Sequence, residues 1–333
     1  MTKLSFRFQI PSFKLHPDRH ATWNLELETW NLKFETVNSK LLLFGEYGLM
    51  FDAMALSIPF PRFSGSLGFD TSHSHGESSA EIRKFYAYLT TLEVLKLHFP
   101  FNLESFAEDL DKGLYFNSNI PQQYGLGSSG ALVAALFSRY AARGIAEDQL
   151  SADLLKDDFA RLEGHFHGKS SGLDPLVSFL NRPLLLDGMK RIQSLSLDLA
   201  QTSVSFALID THTVGPTGPL VEHFIDQLNS PAFASAFATA FIPANNGCIE
   251  TLLRGDHFLF FSFLKQLTEF QLKHFQLMIP PGFHSLISEA VGQQVFIKLL
   301  GSGGGGFLLA ISPSEINMNS WADENEIVLL KVV

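Results

Sequence analysis

PQQYGLGSSGALVAALF, residues 121–137, is the stretch that most strongly determines the predicted fold. A turn rich in glycine and serine runs without interruption into an apolar, alanine-rich segment, which predicts a buried helix. Glycine allows the backbone to curl tightly and to approach a ligand closely. The first amides of a helix have no partner within it and carry the positive end of the helix dipole, an arrangement that binds phosphate. The candidate phosphate-binding residues are Gly125, Leu126, Gly127, Ser128, Ser129 and Gly130.

Two alternatives account for this stretch less well. The pattern differs from the Walker loop, because no Gly-Lys-Ser/Thr sequence follows the glycines. A flexible linker would also be rich in glycine and serine, but linkers do not run directly into an apolar helix. We therefore expect a phosphate-binding turn of another kind.

The overall composition predicts a well-packed acidic protein. A chain of 333 residues is long enough for two domains. Hydrophobic residues make up 46% and charged residues 17%, which favours a large core over disorder. The 32 phenylalanines predict a core rich in aromatic rings. Because the net charge is −10 and no basic patch stands out, nucleic acid is not an expected partner.

Cysteine content and hydropathy bear on the cellular compartment. Cys248 is the single cysteine of the sequence, so an internal disulfide and a thiolate zinc cluster are both excluded, which fits a reducing compartment. The N-terminal segment lacks the continuous apolar core of a signal peptide. The most apolar run, Phe258 to Leu264, is too short to span a bilayer. We expect a soluble cytoplasmic protein without a membrane partner.

A second notable segment is SKLLLFGEY, residues 39–47. Leu41 to Phe44 reads as a short buried strand that ends at Gly45. Lys40, Glu46 and Tyr47 therefore lie at strand ends, where small-molecule sites are commonly found. On spacing alone, Lys40 could equally be an ordinary solvated lysine at the start of a strand.

The third segment is EGHFHGKSSGLDPLVS, residues 163–178, which follows a predicted helix over Ala152 to Leu162. A tight turn precedes Asp174, which could cap the next helix because Pro175 suits a first helical position. A chemical role for Asp174 is the alternative, and the two are compatible. His165 and His167 lack the i, i+4 spacing of a helical zinc site. The histidines at 73 and 75 fit a mobile surface loop, predicted over residues 64–79, better than a metal site.

The last third of the chain contains a second glycine run. SVSFALID, residues 203–210, predicts a strand, and residues 221–291 are mostly helical in pattern. The run GSGGGG, residues 301–306, separates two apolar strands and is longer than a hairpin turn requires. Such an excess of glycine suggests that the backbone lies against a ligand or another backbone. A weak domain boundary falls near residues 190–200.

Taken together and in this order, the three motifs resemble the three signatures of the GHMP kinase superfamily, over roughly residues 38–310. The resemblance implies an α+β protein with the two-domain GHMP kinase fold. Residues 1–195 would form the N-terminal ATP-binding domain, ribosomal-S5-like and α/β, with residues 1–38 an extension of unknown role. Residues 196–333 would form the C-terminal, ferredoxin-like α+β domain. ATP and Mg²⁺ are the implied cofactors.

Within the superfamily, the chain is most similar to the mevalonate kinase family, because residues 163–178 resemble its E…HGxPSGxD stretch. The resemblance implies that Asp174 is the catalytic base and that Lys40 contacts substrate beside it. It also implies that Ser129 and Glu163 bind Mg²⁺. The implied substrate-binding residues are Glu46 and Tyr47 of the first motif, Thr213 and Thr217 of the loop THTVGPTGPLV, and Gly303 and Gly304 of the second glycine run.

The sequence departs from the mevalonate kinase pattern at several positions. Tyr47 stands where histidine is usual, and the GEY and GLGSSG forms are more typical of phosphomevalonate kinases. Ser170 replaces the proline of HGxPSG, and the 211–221 loop lacks the family's arginine. These departures bear on the acceptor rather than on phosphoryl transfer.

The resemblance leaves three alternative functions. The first is transfer of the γ-phosphate of ATP to a small-molecule alcohol, most simply mevalonate, in isoprenoid precursor synthesis. The second is the same chemistry on phosphomevalonate or another alcohol, and the third is a non-catalytic member that binds ATP. The complete set Lys40, Ser129, Glu163 and Asp174 argues against the third. The sequence leaves oligomeric state open, a homodimer included. It does not specify the adenine pocket, although we expect the adenine contacts to come from the loop before Ala80 and the helix after it.

Overall fold

A computed structural model describes residues 36–70, 75–92, 97–141, 151–215 and 217–332. Residues 34–333 form one compact unit. The predicted N-terminal strands and nearly all of the 1–38 extension lie outside the described residues, as does His73. Among the described residues, no helix combines the length and the apolar character that crossing a bilayer would require.

The first half of the described chain builds a five-stranded antiparallel sheet. Its order is β1-β2-β4-β5, with β3 also paired to β2. Seven of the eight residues of β1 are buried, so this strand lies inside the protein rather than at a solvent-exposed face. The strands are β1 (Val37–Phe44), β2 (Ala55–Phe69), β3 (Leu114–Ser118), β4 (Leu184–Leu186) and β5 (Ile192–Ser194).

The second half builds a four-stranded antiparallel sheet of order β7-β8-β6-β9. All of β7 and β8 is buried, as the two apolar runs around the second glycine run predict. The two sheets fall on either side of the predicted boundary at residues 195 and 196, which stays a prediction. The strands are β6 (Ser205–Asp210), β7 (Phe296–Leu299), β8 (Phe307–Ser312) and β9 (Leu329–Lys331).

Helices accompany both sheets and make the protein α+β, as predicted. The helix α3 is buried almost all round, because it carries only apolar residues and alanine between its first turn and its last. It packs against β1 and against α5. The helices are α1 (Gly76–Leu92), α2 (Leu103–Asp111), α3 (Ser128–Tyr140), α4 (Ala152–His167), α5 (Leu173–Leu180), α6 (Thr217–Gln227), α7 (Pro231–Ala236), α8 (Ile242–Arg254), α9 (His257–His274), α10 (Phe283–Ala290) and α11 (Glu315–Glu324).

The prediction of a loop over residues 64–79 was wrong at both ends. The strand β2 continues to Phe69 because Gly65 to Phe69 pair with β3. The ring of Phe116 covers Gly65 across the strands, where a Cβ would come within 2.2 Å of it. The helix α1 begins at Gly76 rather than at Ala80 and ends at Leu92.

The prediction of an aromatic core is confirmed. A cluster of phenylalanines fills the space around helices α6 to α9, with ring centroids 4.7–6.5 Å apart. Tyr47 joins this cluster from the end of β1, since its ring lies 4.5 Å from that of Phe224 and 5.2 Å from that of Phe275. The segment after β1 is thereby packed against the helices of the second half. The cluster consists of Phe224, Phe233, Phe237, Phe241, Phe270 and Phe275.

Candidate active site

The first glycine turn leads directly into α3, as its sequence predicts. Gly127 precedes the helix with φ of 72°, and Gly125 has φ of 77°, so both use backbone that favours glycine. A Cβ on Gly127 would also approach the aliphatic part of Lys40 to 2.9 Å. Below the turn, the amide of Lys40 donates to the carbonyl of Leu126 at 3.1 Å. The turn is therefore held against the start of β1.

Lys40 and Asp174 form an ion pair beside this turn. Lys40 Nζ lies 2.9 Å from Asp174 Oδ2, and the two side chains are 4% and 31% exposed. Lys40 is thus not a solvated lysine. Asp174 is not a helix cap either, because Gly172 occupies the N-cap of α5 and Asp174 lies in the first turn. The carboxylate is left partly open, while its lysine partner is enclosed.

Glu163 lies near the end of α4, almost fully buried, and both of its carboxylate oxygens accept hydrogen bonds. Ser129 Oγ donates to Oε1 at 3.1 Å, and Ser170 Oγ donates to Oε2 at 2.5 Å. Burial, followed by the nearby Asp174, raises the pKa of Glu163 to about 7, while the bond from Ser170 and the charge of Lys40 act in the opposite direction. The pair of residues predicted to hold Mg²⁺ is therefore in direct contact.

The residues at this position fit a magnesium ion. Two carboxylates, Glu163 and Asp174, face a single ammonium group on Lys40, so a bound cation would balance the local charge. The hydroxyl and carboxylate oxygens are hard ligands of the kind that Mg²⁺ takes. Across the described part of the chain, no group of three or more His, Cys, Asp and Glu residues is arranged to hold a metal by itself. Phosphate oxygens of a nucleotide would have to supply further ligands, as Mg²⁺ commonly requires.

A cavity of about 1410 Å³ is lined by the predicted catalytic and metal-binding residues and by most of the phosphate turn. Its wall includes Lys40, Asp174 and Glu163, the turn at 125–129, and Gly303. Residues at the start of α1, Gly76 to Ser78 with Ala80, Glu81 and Lys84, line it as well. The segment expected near the adenine therefore faces the same cavity as the phosphate turn.

Two residues of the first motif do not line this cavity. Glu46 is buried in an ion pair with Lys298 of β7, at 2.5 Å between Oε1 and Nζ. Tyr47 donates a hydrogen bond to the carbonyl of Ser302 in the second glycine run, at 2.6 Å. The structure thus connects both side chains to the second half of the protein, and their contact with substrate stays a prediction.

Thr213, in the described part of the predicted substrate loop, is also outside the cavity wall. Thr213 is exposed and its carbonyl accepts from the amide of Gly306 at 2.7 Å. Gly304 packs against Gly215 and the side chain of Leu220, where a Cβ would clash at 2.5 Å. Thr217 is the first residue of α6. Gly303, Gly305 and Gly306 lie against backbone of other segments, and Gly303 and Gly305 also line the cavity, so both predicted reasons for the excess of glycine are met by position. The substrate roles of these residues stay predictions.

Three functional or structural side chains were not assigned from the sequence. His167 Nε2 lies 2.9 Å from Ser129 Oγ, and Ser170 contacts Glu163. Both residues lie in the segment 163–178 that contains Glu163 and Asp174, and this position could have indicated that they belong to the same site. Lys298 was missed as the partner of Glu46, although a lone lysine in the apolar stretch VFIKLL was the available clue.

Comparisons with known proteins bear on the fold. Residues 88–182 match the family model described as the GHMP kinases N terminal domain. No curated protein matches the chain significantly. The fold is similar to that of L. major mevalonate kinase in complex with R-mevalonate, with a TM-score of 0.60, 16% identity, and coverage of 90% of this chain and 95% of that chain.

Two further solved structures share the fold. Streptococcus pneumoniae phosphomevalonate kinase, in complex with phosphomevalonate and AMPPNP, has a TM-score of 0.59 at 16% identity, covering 90% of this chain and 98% of that chain. Lactococcus lactis galactokinase, complexed with galactose, has a TM-score of 0.61 at 12% identity, covering 89% and 92%. Identities this low support a common fold and not a common substrate. The match over residues 88–182 and the shared fold are both those of GHMP kinases.

Proposed function

We propose that this protein is an ATP-dependent kinase that transfers the γ-phosphate of ATP to the hydroxyl of a small-molecule alcohol, with mevalonate the first acceptor to test. The observation that carries the proposal is the pair Lys40–Asp174, at 2.9 Å, on the wall of the large cavity. The aliphatic part of Lys40 packs against Gly127 of the phosphate turn. A partly open carboxylate therefore stands beside the place where phosphate would bind.

Each residue of this site has a chemical task in the proposed reaction. The backbone amides of residues 125–130 would hold the phosphates at the start of α3. Ser129 and Glu163 would hold Mg²⁺, which supplies charge neutralisation on the triphosphate. Asp174 would accept the proton of the acceptor hydroxyl, and Lys40 would offset negative charge on the transferred group. A positioned base of this kind contributes roughly 10²–10⁴ in rate.

Mevalonate and phosphomevalonate are the two acceptors that particular observations favour. The segment from Glu163 to Asp174 resembles the mevalonate kinase motif, and an aspartate base at 174 fits an unphosphorylated alcohol. The GEY and GLGSSG forms resemble those of phosphomevalonate kinases instead. The fold is similar to enzymes of both kinds, so it does not decide between them. On either acceptor the protein would act in isoprenoid precursor synthesis, in the cytoplasm.

An acceptor screen with purified protein tests the proposal. ATP consumption is measured with mevalonate, phosphomevalonate, homoserine and galactose at saturating Mg²⁺, and the phosphorylated product is identified by ³¹P NMR. We expect Mg²⁺-dependent turnover on one acceptor. Binding of Mg²⁺-ATP without turnover on any alcohol would instead identify a non-catalytic member of the superfamily.

A further inference from the structure

Ser170 makes two hydrogen bonds that connect the end of α4 with the start of α5. Its Oγ donates to Glu163 Oε2 at 2.5 Å and accepts from the amide of Gly172 at 2.9 Å. Gly172 is the N-cap of α5, the helix that carries Asp174 in its first turn. One hydroxyl therefore fixes both the carboxylate of Glu163 and the turn that leads to Asp174.

The two oxygens of Glu163 have different surroundings. Oε1 faces Ser129, in the first turn of α3 at the phosphate turn, while Oε2 is occupied by Ser170. Rotation of the carboxylate about its last side-chain bond would break the bond to Ser170. The charge-assisted bond from a hydroxyl to a carboxylate is among the stronger ones in proteins. The orientation of Oε1 toward Ser129 is thus held from the opposite side of the carboxylate.

The neighbouring Ser171 offers an internal comparison. Its hydroxyl accepts from the amide of Leu173 at 3.3 Å, so it supports the same turn without contacting Glu163. Proline, which stands at position 170 in the motif that this segment resembles, has no hydroxyl to offer. The contact between residue 170 and Glu163 is consequently a feature that this chain's own serine provides.

We propose that Ser170 is a positioning residue that holds Glu163 Oε1 toward Ser129 and thereby strengthens binding of the divalent cation. The inference rests on the proposed function, because it assigns Ser129 and Glu163 to the cation. Residues that orient metal ligands through hydrogen bonds typically contribute 10–100-fold to metal affinity. Ser170 would act on the affinity for the metal more than on the chemical step at saturating metal.

The test measures Mn²⁺ binding by electron paramagnetic resonance in the presence of AMPPNP, which does not depend on turnover. Ser170→Ala should weaken Mn²⁺ binding by about 10-fold or more. Ser170→Thr keeps the hydroxyl and should bind Mn²⁺ like the wild type. Ser171→Ala is the matched control, since it removes a hydroxyl from the same turn and should leave Mn²⁺ binding unchanged.

A double-variant cycle separates positioning from a general loosening of the turn. In a Glu163→Gln background, Ser170→Ala should weaken Mn²⁺ binding much less than it does in the wild type, because the two residues act through one contact. Equal weakening in both backgrounds, or an unchanged affinity in Ser170→Ala, would overturn the inference. If the wild type binds Mn²⁺-AMPPNP but phosphorylates no acceptor, the proposed kinase activity is refuted. The role of Ser170 is then still decided by the Mn²⁺ affinities of its variants. A wild type that does not bind Mn²⁺-AMPPNP would overturn both.

Discussion

Among the described residues, two buried lysines, Lys40 and Lys298, each pair with a carboxylate, and the two pairs differ in what surrounds them. Lys40 and Asp174 lie on the cavity wall at 2.9 Å, and 31% of the Asp174 side chain is exposed. Lys298 and Glu46 lie 2.5 Å apart, with side chains that are 0% and 1% exposed. The first carboxylate can meet a ligand, whereas the second can meet only protein.

The pair Lys298–Glu46, called the sealed pair below, connects the two halves of the described chain. Glu46 follows β1 of the first sheet, and Lys298 belongs to β7 of the second. Burial raises the pKa of Glu46 and lowers the pKa of Lys298, and the attraction between the two opposes both shifts. Nζ of Lys298 also donates to the carbonyl of Leu299 at 2.6 Å. The same kinds of group therefore form one pair on the cavity wall and another that joins two distant segments inside the protein.

The pair Lys40–Asp174, called the open pair below, should give the largest effect on activity. Asp174→Asn keeps the size of the side chain but cannot accept a proton, so kcat should fall by roughly 10²–10⁴. ATP binding should stay near that of the wild type, and the melting temperature should fall only modestly, because Asp174 is partly exposed and is not the helix cap. Steady-state kinetics on the identified acceptor, with thermal melting in parallel, measure both. Turnover close to the wild-type value would remove Asp174 from the role of base.

Lys40 should be coupled to Asp174 in the same assay. Lys40→Met should also lower kcat, since it removes the positive charge 2.9 Å from the carboxylate. The double variant should lose much less than the product of the two single losses, because groups that act as a unit are not additive. Fully multiplicative losses would mean that the two residues act independently.

The sealed pair should give the largest effect on stability. Lys298→Met leaves the carboxylate of Glu46 buried without its partner, and breaking a buried pair in this way costs about 3–5 kcal/mol. Urea denaturation of the variant measures the loss in the free energy of unfolding. Adding Glu46→Leu should recover much of it, because an apolar replacement of a whole buried pair is often neutral. A loss that the second substitution fails to recover would contradict this account.

The open site could be predicted from the sequence to a large extent. Lys40, Glu163 and Asp174 stand in motifs with fixed spacing, and the structure places all three on one cavity wall. The glycine predicted at the turn, Gly127, has a physical reason in the structure, since its positive φ and the close approach of Lys40 both disfavour a side chain. Local sequence patterns can identify these candidate site residues because the residues lie in a few short segments.

The sealed pair and the supporting contacts could not be predicted in the same way. Lys298 pairs with a residue 252 positions earlier, and an apolar strand gives no sign of its distant neighbours. Ser170 was recognised as a departure from a motif, but its bond to Glu163 depends on how α4 ends and α5 begins. Contacts between distant segments can be seen only in the fold, whereas the candidate site residues can be recognised from the motifs alone.

The smallest expected effect is at Tyr47, where the segment after β1 contacts the second glycine run. Its hydroxyl donates to the carbonyl of Ser302 at 2.6 Å, and Ser302 lines the cavity. Tyr47→Phe removes this bond but keeps the ring against Phe224. The loss should be about 0.5–1.5 kcal/mol in the free energy of unfolding.

Because the hydroxyl of Tyr47 holds the carbonyl of Ser302 in the cavity wall, Tyr47→Phe should also raise the KM for ATP or for the acceptor, by about 13-fold at most, as a loss of up to about 1.5 kcal/mol implies. The matched control is Tyr140→Phe, which removes a hydroxyl that donates to Asp109 Oδ2 at 3.0 Å; neither residue lines the cavity. That control should lower stability without changing either KM. If Tyr47→Phe behaves as the control does, the segment after β1 serves stability alone. A raised KM with kcat nearly unchanged would show that the segment after β1, which carries the buried Glu46, also affects binding in the cavity.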